Sequence, residues 1–519
     1  MPSRALVSSS DERRGPRFPK LRYARPAPAQ VRMLGGLMLG ALGLFVIGSW
    51  RLLMLHPIMW GFAPILVVIV LHEVLTVLAK LQRPEYDFKT QRERKSRLRD
   101  RAVLAEVDVL LPVCGEPLAV LRRTWEAVAR IRYANLTITV LDDSANDEIR
   151  MLAGEFGFRC LTRPNRGEHA KSGNLAYGFA HTSGEFYLVL DADFAPHPQI
   201  IEEMLPWLLE NPEVGIVQSP QYFDFHEPEV AATAFSRASA ATVEDFYRFV
   251  LPYRNAHRAA MCVGTSALYR RATIAESGFS LAPASEDVKQ GLLVNAKSYR
   301  VIYLPLVLSA GHTPESYDAF ARQQSRWCHG AFLNMTSKLF WSLKMTPWQR
   351  TLWLGNVLNY LRSGLGAFLP FQLVILGWLP EVTLHWKYAW WFLPLAVCRF
   401  WMWRYRFAPW RPAHMVVSRL RSLVHLCSMT AFCRSRNFHW VATGDARGRQ
   451  STWESHGGVL LYLGIVGCVS LATALHLAVP WRWEVSLVFF WLLWESGMAL
   501  ATVLTILTSI RALGQKVTL

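Results

Sequence analysis

The sequence predicts an α/β cytosolic domain with a mostly parallel sheet, inserted between transmembrane α-helices, about six in total. Three observations carry this expectation. Apolar residues make up 52% of the 519-residue chain and charged residues only 18%. The apolar residues collect in runs near the roughly 20 residues needed to cross a hydrocarbon core of about 30 Å. Between the second and third runs lies one long polar block, in which short buried-type strands alternate with helical patterns.

The six runs are about 33–50, 54–80, 353–379, 386–402, 457–479 and 485–509, the fourth carrying Arg399 inside it. Basic residues cluster before the first run (Arg4, Arg13, Arg14, Arg17, Lys20, Arg22, Arg25, Arg32), after the second (Lys89 to Arg101) and after the fourth (Arg404 to Arg436). By the positive-inside rule these ends face the cytoplasm, together with the polar block. The net charge of +17 is therefore read as retention against an anionic bilayer surface, and nucleic acid is not expected as a partner. Residues 1–32 form a basic, Pro- and Ser-containing tail, too charged for a cleavable signal and predicted to be disordered. The eight cysteines are scattered without a CxxC pair, which suits reduced thiols better than a disulfide framework or a zinc site.

The domains expected are the tail 1–32, two transmembrane helices over 33–81, a basic linker over 82–103 and the α/β domain over 104–335. Four transmembrane helices follow over 336–510, then a short tail, 511–519. Within the α/β block, Glu106 to Val113, Leu136 to Leu141 and Phe186 to Leu190 read as strands, and Leu118 to Ile131 as a helix. Ligands of such sheets bind at the carboxyl ends of the strands, where Asp142-Asp143 and Asp191 stand. Apolar and basic residues mix at helical spacing over 335–350 and 412–436, which predicts helices lying in the membrane interface.

Several short motifs carry chemistry. Asp191-x-Asp193 follows an apolar strand and suits Mg²⁺ or Mn²⁺, since Mg²⁺ is usually held by one or two carboxylates plus substrate phosphates. Read alone it is also what a solvated turn looks like. Lys171, in Lys171-Ser172-Gly173-Asn174, opens a helix and can meet a phosphate beside backbone N–H groups. Ser285-Glu286-Asp287 offers a general base, or a capped helix start with two acids in its first turn. Gln323-x-x-Arg326-Trp327 places Gln and Arg one helical turn apart, with an indole face beside them.

The order and spacing of these motifs resemble the processive family 2 glycosyltransferases, above all the cellulose synthase catalytic subunits. The resemblance implies a GT-A type domain. It implies a membrane-embedded, inverting transferase at the inner membrane that polymerises sugar from a UDP-sugar and passes the growing glycan across the bilayer. The product implied is a β-glucan made from UDP-glucose, such as cellulose. Other polymers (chitin-like, hyaluronan-like or β-1,3-glucan) remain open, as does a non-processive transfer to a lipid acceptor. A membrane scaffold or transporter without catalysis is disfavoured by the intact acidic motifs.

By resemblance, Glu116, Asp142, Asp143, Lys171, Asp191, Gln323 and Arg326 contact the donor, Asp191 and Asp193 hold the metal, and Asp287 with Glu286 is catalytic. Trp327, Val263 and Gly264 face the acceptor, although Cys262 stands one place before the position where the family has its cysteine. A gating loop near 436–456 is matched by Phe438, Trp440, Thr443 and Arg447, with Asp445 where the family has Lys. Export subunits are not legible. Many bacterial cellulose synthases continue into a cyclic-di-GMP-binding barrel; here any such control would need a separate protein.

Overall fold

A computed structural model describes residues 29–82, 86–223, 233–282, 284–378, 389–406, 413–435, 452–478 and 486–515. The chain forms two compact units. The first contains the described residues of 86–223 and 260–313, and the second those of 29–82, 233–259 and 314–515.

The first unit is built on ten strands: β1 (Val107–Val113), β2 (Leu136–Asp142), β3 (Arg159–Leu161), β4 (Phe186–Val189), β5 (Phe194–Pro196), β6 (Val214–Gln218), β7 (Tyr222–Phe223), β8 (Ala267–Arg270), β9 (Arg300–Tyr303) and β10 (Ser309–Gly311). Seven form one sheet in the order β3-β2-β1-β4-β8-β6-β9, and β5-β10-β7 form a smaller one. The pairs β1–β2, β1–β4, β2–β3 and β6–β9 are parallel, and β8 runs antiparallel to β4 and β6. This is the mostly parallel α/β sheet that the strand–helix alternation predicts.

Burial explains the pattern. Every residue of β1 is buried, as expected of a strand covered on both faces, so it reads as a continuous apolar run. The exception, Asp108, accepts a hydrogen bond from the Gly184 N–H at 2.7 Å and faces Arg271 at 2.9 Å. The helix Leu118–Ala129 buries Leu121, Trp125 and Val128 on one face, the spacing of a helical stripe. Trp125 meets Phe156 and Phe158 edge-on; its truncation to Ala would cost about 3–5 kcal/mol.

The same sheet sets the position of the loops. Val113 of β1 is in register with Asp142 of β2, and Leu110 with Val189 of β4. The loops leaving β1, β2 and β4 therefore open side by side. Because β2 and β4 flank β1 on opposite sides, the chain reverses its direction of winding there, which creates a crevice at the carboxyl edge. Ala267, at the start of antiparallel β8, lies opposite Val189, so the loop before β8 reaches the same edge.

The second unit is helical. Five of its helical stretches are long and apolar enough to cross a membrane: Arg32–Leu55, Pro57–Ala79, Pro347–Trp378, Gly457–Ala478 and Val488–Thr508. They correspond to five of the six predicted runs. The described part of the fourth run is a helix, Ala389–Arg406, but is not among them. Part of that run lies outside the described residues, and within the helix Arg399 lies 3.4 Å from Glu73. Among the described residues the count is thus five.

The interfacial expectation for 412–436 also changes. The helix Ala413–Arg434 buries Val417, Leu420, Leu423 and Val424 in a core with Ala238, Tyr317, Phe320, Leu463 and Ile506. Its apolar side is covered by protein, which sequence spacing cannot distinguish from cover by lipid. The same core places 233–259 and 314–335 in the second unit, although the sequence groups them with the α/β block. Over 335–350, a short helix (Lys338–Ser342) precedes a capping box, in which Thr346 and Gln349 start the third membrane-length stretch. The tail residues 1–28 and the gating-loop residues Phe438, Trp440, Thr443 and Arg447 lie outside the described residues.

Candidate active site

Five loops of the first unit bring charged groups to the carboxyl edge of the sheet. After β1, Glu116 folds back so that its carboxylate accepts the Cys114 N–H at 2.7 Å. Burial, followed by the fields of Asp191 and Asp142, raises its carboxyl above the usual range despite those backbone bonds. At the end of β2, Asp142 accepts bonds from the Ser144 N–H and hydroxyl and from the Asn146 N–H. These bonds shape the turn after the strand and fix the carboxylate.

Asp143 does something the sequence did not suggest. Both of its oxygens are taken by Arg163, at 2.6 and 2.7 Å, and both residues are buried. Arg163 also donates to the backbone oxygens of Glu168 and Ala170, and the Gly167 N–H reaches Asp143. The pair clamps the loop that leads into the helix Ala170–Ala180. His169 and Ala170 are both held at positive φ, 54° and 47°. That conformation costs a non-glycine residue roughly 1–2 kcal/mol, and the clamp supports it. Gly173 is required at this junction, since a Cβ there would lie 2.4 Å from Arg163 Nη1 and 2.3 Å from the Glu168 oxygen.

Asp143→Ala is therefore expected to lower stability by about 3–5 kcal/mol, because it leaves a buried guanidinium without its carboxylate. Thermal unfolding of the detergent-solubilised protein measures this. An unchanged midpoint would show that the pair does not hold the loop.

The clamped loop delivers Lys171 to the edge. Its ammonium pairs with Asp191, lies 3.9 Å from Glu286 and approaches the Gly264 carbonyl at 3.5 Å. Burial favours the neutral amine, but Asp191, Glu286 and Asp287 together outweigh it and keep Lys171 strongly basic. Asp191 follows β4, and its N–H donates to the Thr265 hydroxyl at 2.9 Å. Asp193 is pushed up to about 7 by burial and then by Asp191, with Glu116 adding to it.

Glu286 and Asp287 occupy the first turn of the helix Glu286–Ala296, as expected. Ser285 sits at the N-cap position at φ 50° without a side-chain cap bond, so of the capping alternative the structure keeps the two acids in the first turn and lacks the cap bond. Burial and the adjacent Glu286 raise the Asp287 carboxyl, with Lys171 opposing. The loop before β8 packs directly on it. Gly264 has φ +83°, and a Cβ there would stand 2.7 Å from Asp287 Oδ2. Gln218 holds this loop by accepting the Val263 N–H and donating to the Met261 carbonyl, while Gln221 donates to the Val263 carbonyl. Gly264→Ala is expected to lower kcat about tenfold or more by displacing Asp287. Donor binding should be largely retained, and an unchanged kcat would refute the coupling.

Arg163, Gln218, Gln221 and Thr265 are the functional supports that sequence reasoning missed. Each acts on a partner distant in the chain, and none carries a recognisable spacing.

Gln323, Arg326 and Trp327 belong to the second unit, on the helix Tyr317–Met335, and all three are half-buried. Their neighbours anchor that helix: Gln324 Oε1 lies 3.3 Å from His425 Nε2, and Ser428 donates to the Ser325 hydroxyl at 2.9 Å. At positions i, i+3 and i+4, the three motif residues share one side of the helix.

Among the described residues no group of three or more His, Cys, Asp or Glu has the geometry of a metal cage. The donor set still suits a hard divalent ion, which usually takes one or two carboxylates and completes its shell with phosphates and water. Glu116, Asp191 and Asp193 lie within one another's fields with Lys171 as their cation, and burial first, then the field of Asp191, raises the Asp193 carboxyl.

The first unit thus presents an acidic crevice at the switch point of its sheet, on a chain that also has membrane-length helices. Residues 187–404 match the family described as Glycosyl transferase family group 2. More particularly, the chain is similar to cellulose synthase catalytic subunits. It is 29% identical over 234 residues to that of Xanthomonas axonopodis pv. citri, covering 44% of this chain and 32% of the relative. It is 30% identical over 227 residues to that of Pseudomonas fluorescens, covering 43% and 31%. With cellulose synthase 1 of Komagataeibacter xylinus the identity is 24% over 316 residues, 55% of this chain and 20% of the relative. The chain thus spans about a third or less of the length of these relatives. Among solved structures, a mannosyltransferase of Pyrobaculum calidifontis in complex with GDP-Man and Mn²⁺ aligns with a TM-score of 0.41 and 14% identity, over 71% of this chain and 100% of that one. A glucosyl-3-phosphoglycerate synthase of Mycobacterium tuberculosis with Mn²⁺, UDP and glucosyl-3-phosphoglycerate aligns with a TM-score of 0.30 and 17% identity, over 44% and 79%.

Proposed function

We propose that the protein is a membrane-embedded inverting glycosyltransferase that polymerises sugar from a UDP-sugar at the cytoplasmic face. The single observation that carries this reading is the meeting of Lys171, Asp191, Glu286, Asp287 and Gly264 at the carboxyl edge of the sheet. One cation for a diphosphate, an acidic strand end and a buried carboxylate with a raised pKa are what displacement at an anomeric carbon requires. The similarity to cellulose synthases favours UDP-glucose as donor and a β-glucan as product.

In this reading Asp287 accepts the proton of the acceptor hydroxyl as that oxygen attacks the anomeric carbon from the side opposite the diphosphate. Its raised pKa brings it toward the operating pH, where a base is most effective. Lys171 exchanges Asp191 for the departing diphosphate and stabilises the charge that develops there. Asp191 and Asp193 would hold Mg²⁺ or Mn²⁺, which when bound supplies Lewis-acid neutralisation of the phosphate oxygens. Asp142 and Glu116 orient the nucleoside side of the donor, and Asp143 acts on Lys171 through the Arg163 clamp. Gln323 and Arg326 are assigned to the diphosphate, and Trp327, Val263 and Gly264 to the acceptor end. Phe438, Trp440, Thr443 and Arg447 are assigned to a gate, and the membrane helices to passage of the glycan.

The test uses lipid-reconstituted protein, Mg²⁺ and individual radiolabelled UDP-sugars, with the product sized and digested by linkage-specific hydrolases. High-molecular-weight product from one donor is expected. Label confined to a small organic-soluble lipid would refute polymerisation and establish the single-transfer alternative.

A further inference from the structure

A cavity of about 190 Å³ lies wholly within the second unit, and its chemistry does not match a neutral sugar. Arg254, Arg362, Arg399 and Arg421 line it against only two carboxylates, Glu73 and Asp245. Glu73 is matched by Arg399 at 3.4 Å, and the nearby Glu244, outside the lining, lies 3.7 Å from Arg248. Arg421 donates to the Thr242 carbonyl at 3.4 Å, and Arg254 is buried. By count, four guanidinium groups share the lining with two carboxylates.

Two membrane-length helices contribute charges from within their apolar runs. Glu73 stands six residues before Ala79, where the second stretch ends, and Arg362 fifteen residues after Pro347, where the third begins. At 1.5 Å per residue these offsets are about 9 and 22 Å. Ionisable groups at such positions are expensive and mark sites of function. Apolar side chains of Leu75, Leu352 and Met402 share the lining, so the cavity is amphipathic.

A second observation points to the same place. The helix Ala234–Asp245 continues into Leu251–Ala256 through a π-helical turn, Phe246–Val250. Asp245, Phe246, Val250 and Arg254 of this element all line the cavity. Such π-turns forfeit regular hydrogen bonding and recur at functional sites. The basic residues flanking the N-terminal end of the first stretch and the C-terminal end of the second put this end of the bundle on the cytoplasmic side.

We propose that this cavity binds the phosphate of an anionic lipid, with the arginines holding the phosphate oxygens and the apolar wall receiving the start of the lipid tail. Guanidinium groups recognise phosphate by paired N–H donors, and the location within membrane-length helices selects a phosphate carried on a lipid. The inference does not rest on the sugar-transfer reading, and its test needs no catalysis.

The full chain, purified in detergent, would be incubated separately with phosphatidylcholine, phosphatidylglycerol and a polyprenyl monophosphate, and retained lipid counted by native mass spectrometry. Retention of the anionic lipids about tenfold above phosphatidylcholine is expected. Equal retention of all three would overturn the proposal. Preference for the polyprenyl phosphate alone would support it and identify an isoprenoid ligand, whereas equal binding of phosphatidylglycerol would support it and identify bulk lipid. Arg362→Gln and Arg421→Gln should each weaken retention about tenfold, and Asn359→Leu, which obstructs the cavity without altering charge, should weaken it as well. The exposed Arg122→Gln should leave it unchanged. Undiminished retention in all three cavity variants would also overturn the assignment.

Discussion

Asp287→Asn should lower kcat about 10²–10⁴-fold, the range expected when a positioned general base is removed, while the donor KM changes little. The substitution is nearly isosteric, so it keeps the contact with Gly264 and the start of the helix Glu286–Ala296. What it removes is the oxygen that would take a proton. Lys171 would retain Asp191 and Glu286 as neighbours, so the donor pocket should survive. The measurement is initial-rate kinetics on reconstituted protein across donor concentrations. A variant that loses donor affinity and keeps kcat would move Asp287 out of the base role. Glu286→Gln provides the comparison, because Glu286 lies beside Lys171 and should act mainly on donor binding.

The second large effect concerns the divalent ion. Asp193→Asn is expected to reduce turnover about 10²–10³-fold at saturating donor, equivalent to several kcal/mol of charge stabilisation in the transition state. Chelation of the wild-type protein should have a similar effect, reversed by Mg²⁺ or Mn²⁺. A readout independent of turnover follows from the raised Asp193 carboxyl. Held at about 7 by burial and by Asp191, it is partly protonated at neutral pH, and a cation that needs the carboxylate must displace that proton. Calorimetry of Mg²⁺ binding in buffers of different ionisation enthalpy should reveal proton release in the wild type and less in Asp193→Asn. Equal release in both would remove Asp193 from the ligand set.

These expectations show which parts of the site were legible beforehand. Asp191-x-Asp193 was readable because it follows a four-residue apolar strand, and buried parallel strands show themselves as continuous apolar runs. Lys171 and Asp287 were readable because each opens a helix within a few residues of a polar turn. The Asp143–Arg163 clamp was not readable. Asp143 stood in the sequence as a donor contact, yet both of its oxygens are engaged by a residue 20 positions away. Val263 and Gly264 were placed at the acceptor by motif alone. The packing of Gly264 against Asp287, and the bonds that Gln218 and Gln221 make to Val263, depend on β6 and β8 lying side by side.

In the membrane unit, the apolar runs identified five helices because a bilayer imposes a minimum length on any segment that crosses it. The fourth run shows the limit, since Arg399 is explained by Glu73 on another helix and no local window contains both. The helix Ala413–Arg434 shows it again: lipid and protein cover an apolar stripe equally well, and only the core formed with Tyr317, Phe320 and Leu463 decides between them. The sequence alone thus determined element type, membrane-length segments and the residues that carry charge to the strand ends, because those depend on local periodicity and composition. Tertiary structure alone decided which carboxylates face an arginine, which glycine the Asp287 side chain rests on, and which arginines share a cavity. Those are contacts between segments far apart in the chain, and their energies are set by burial.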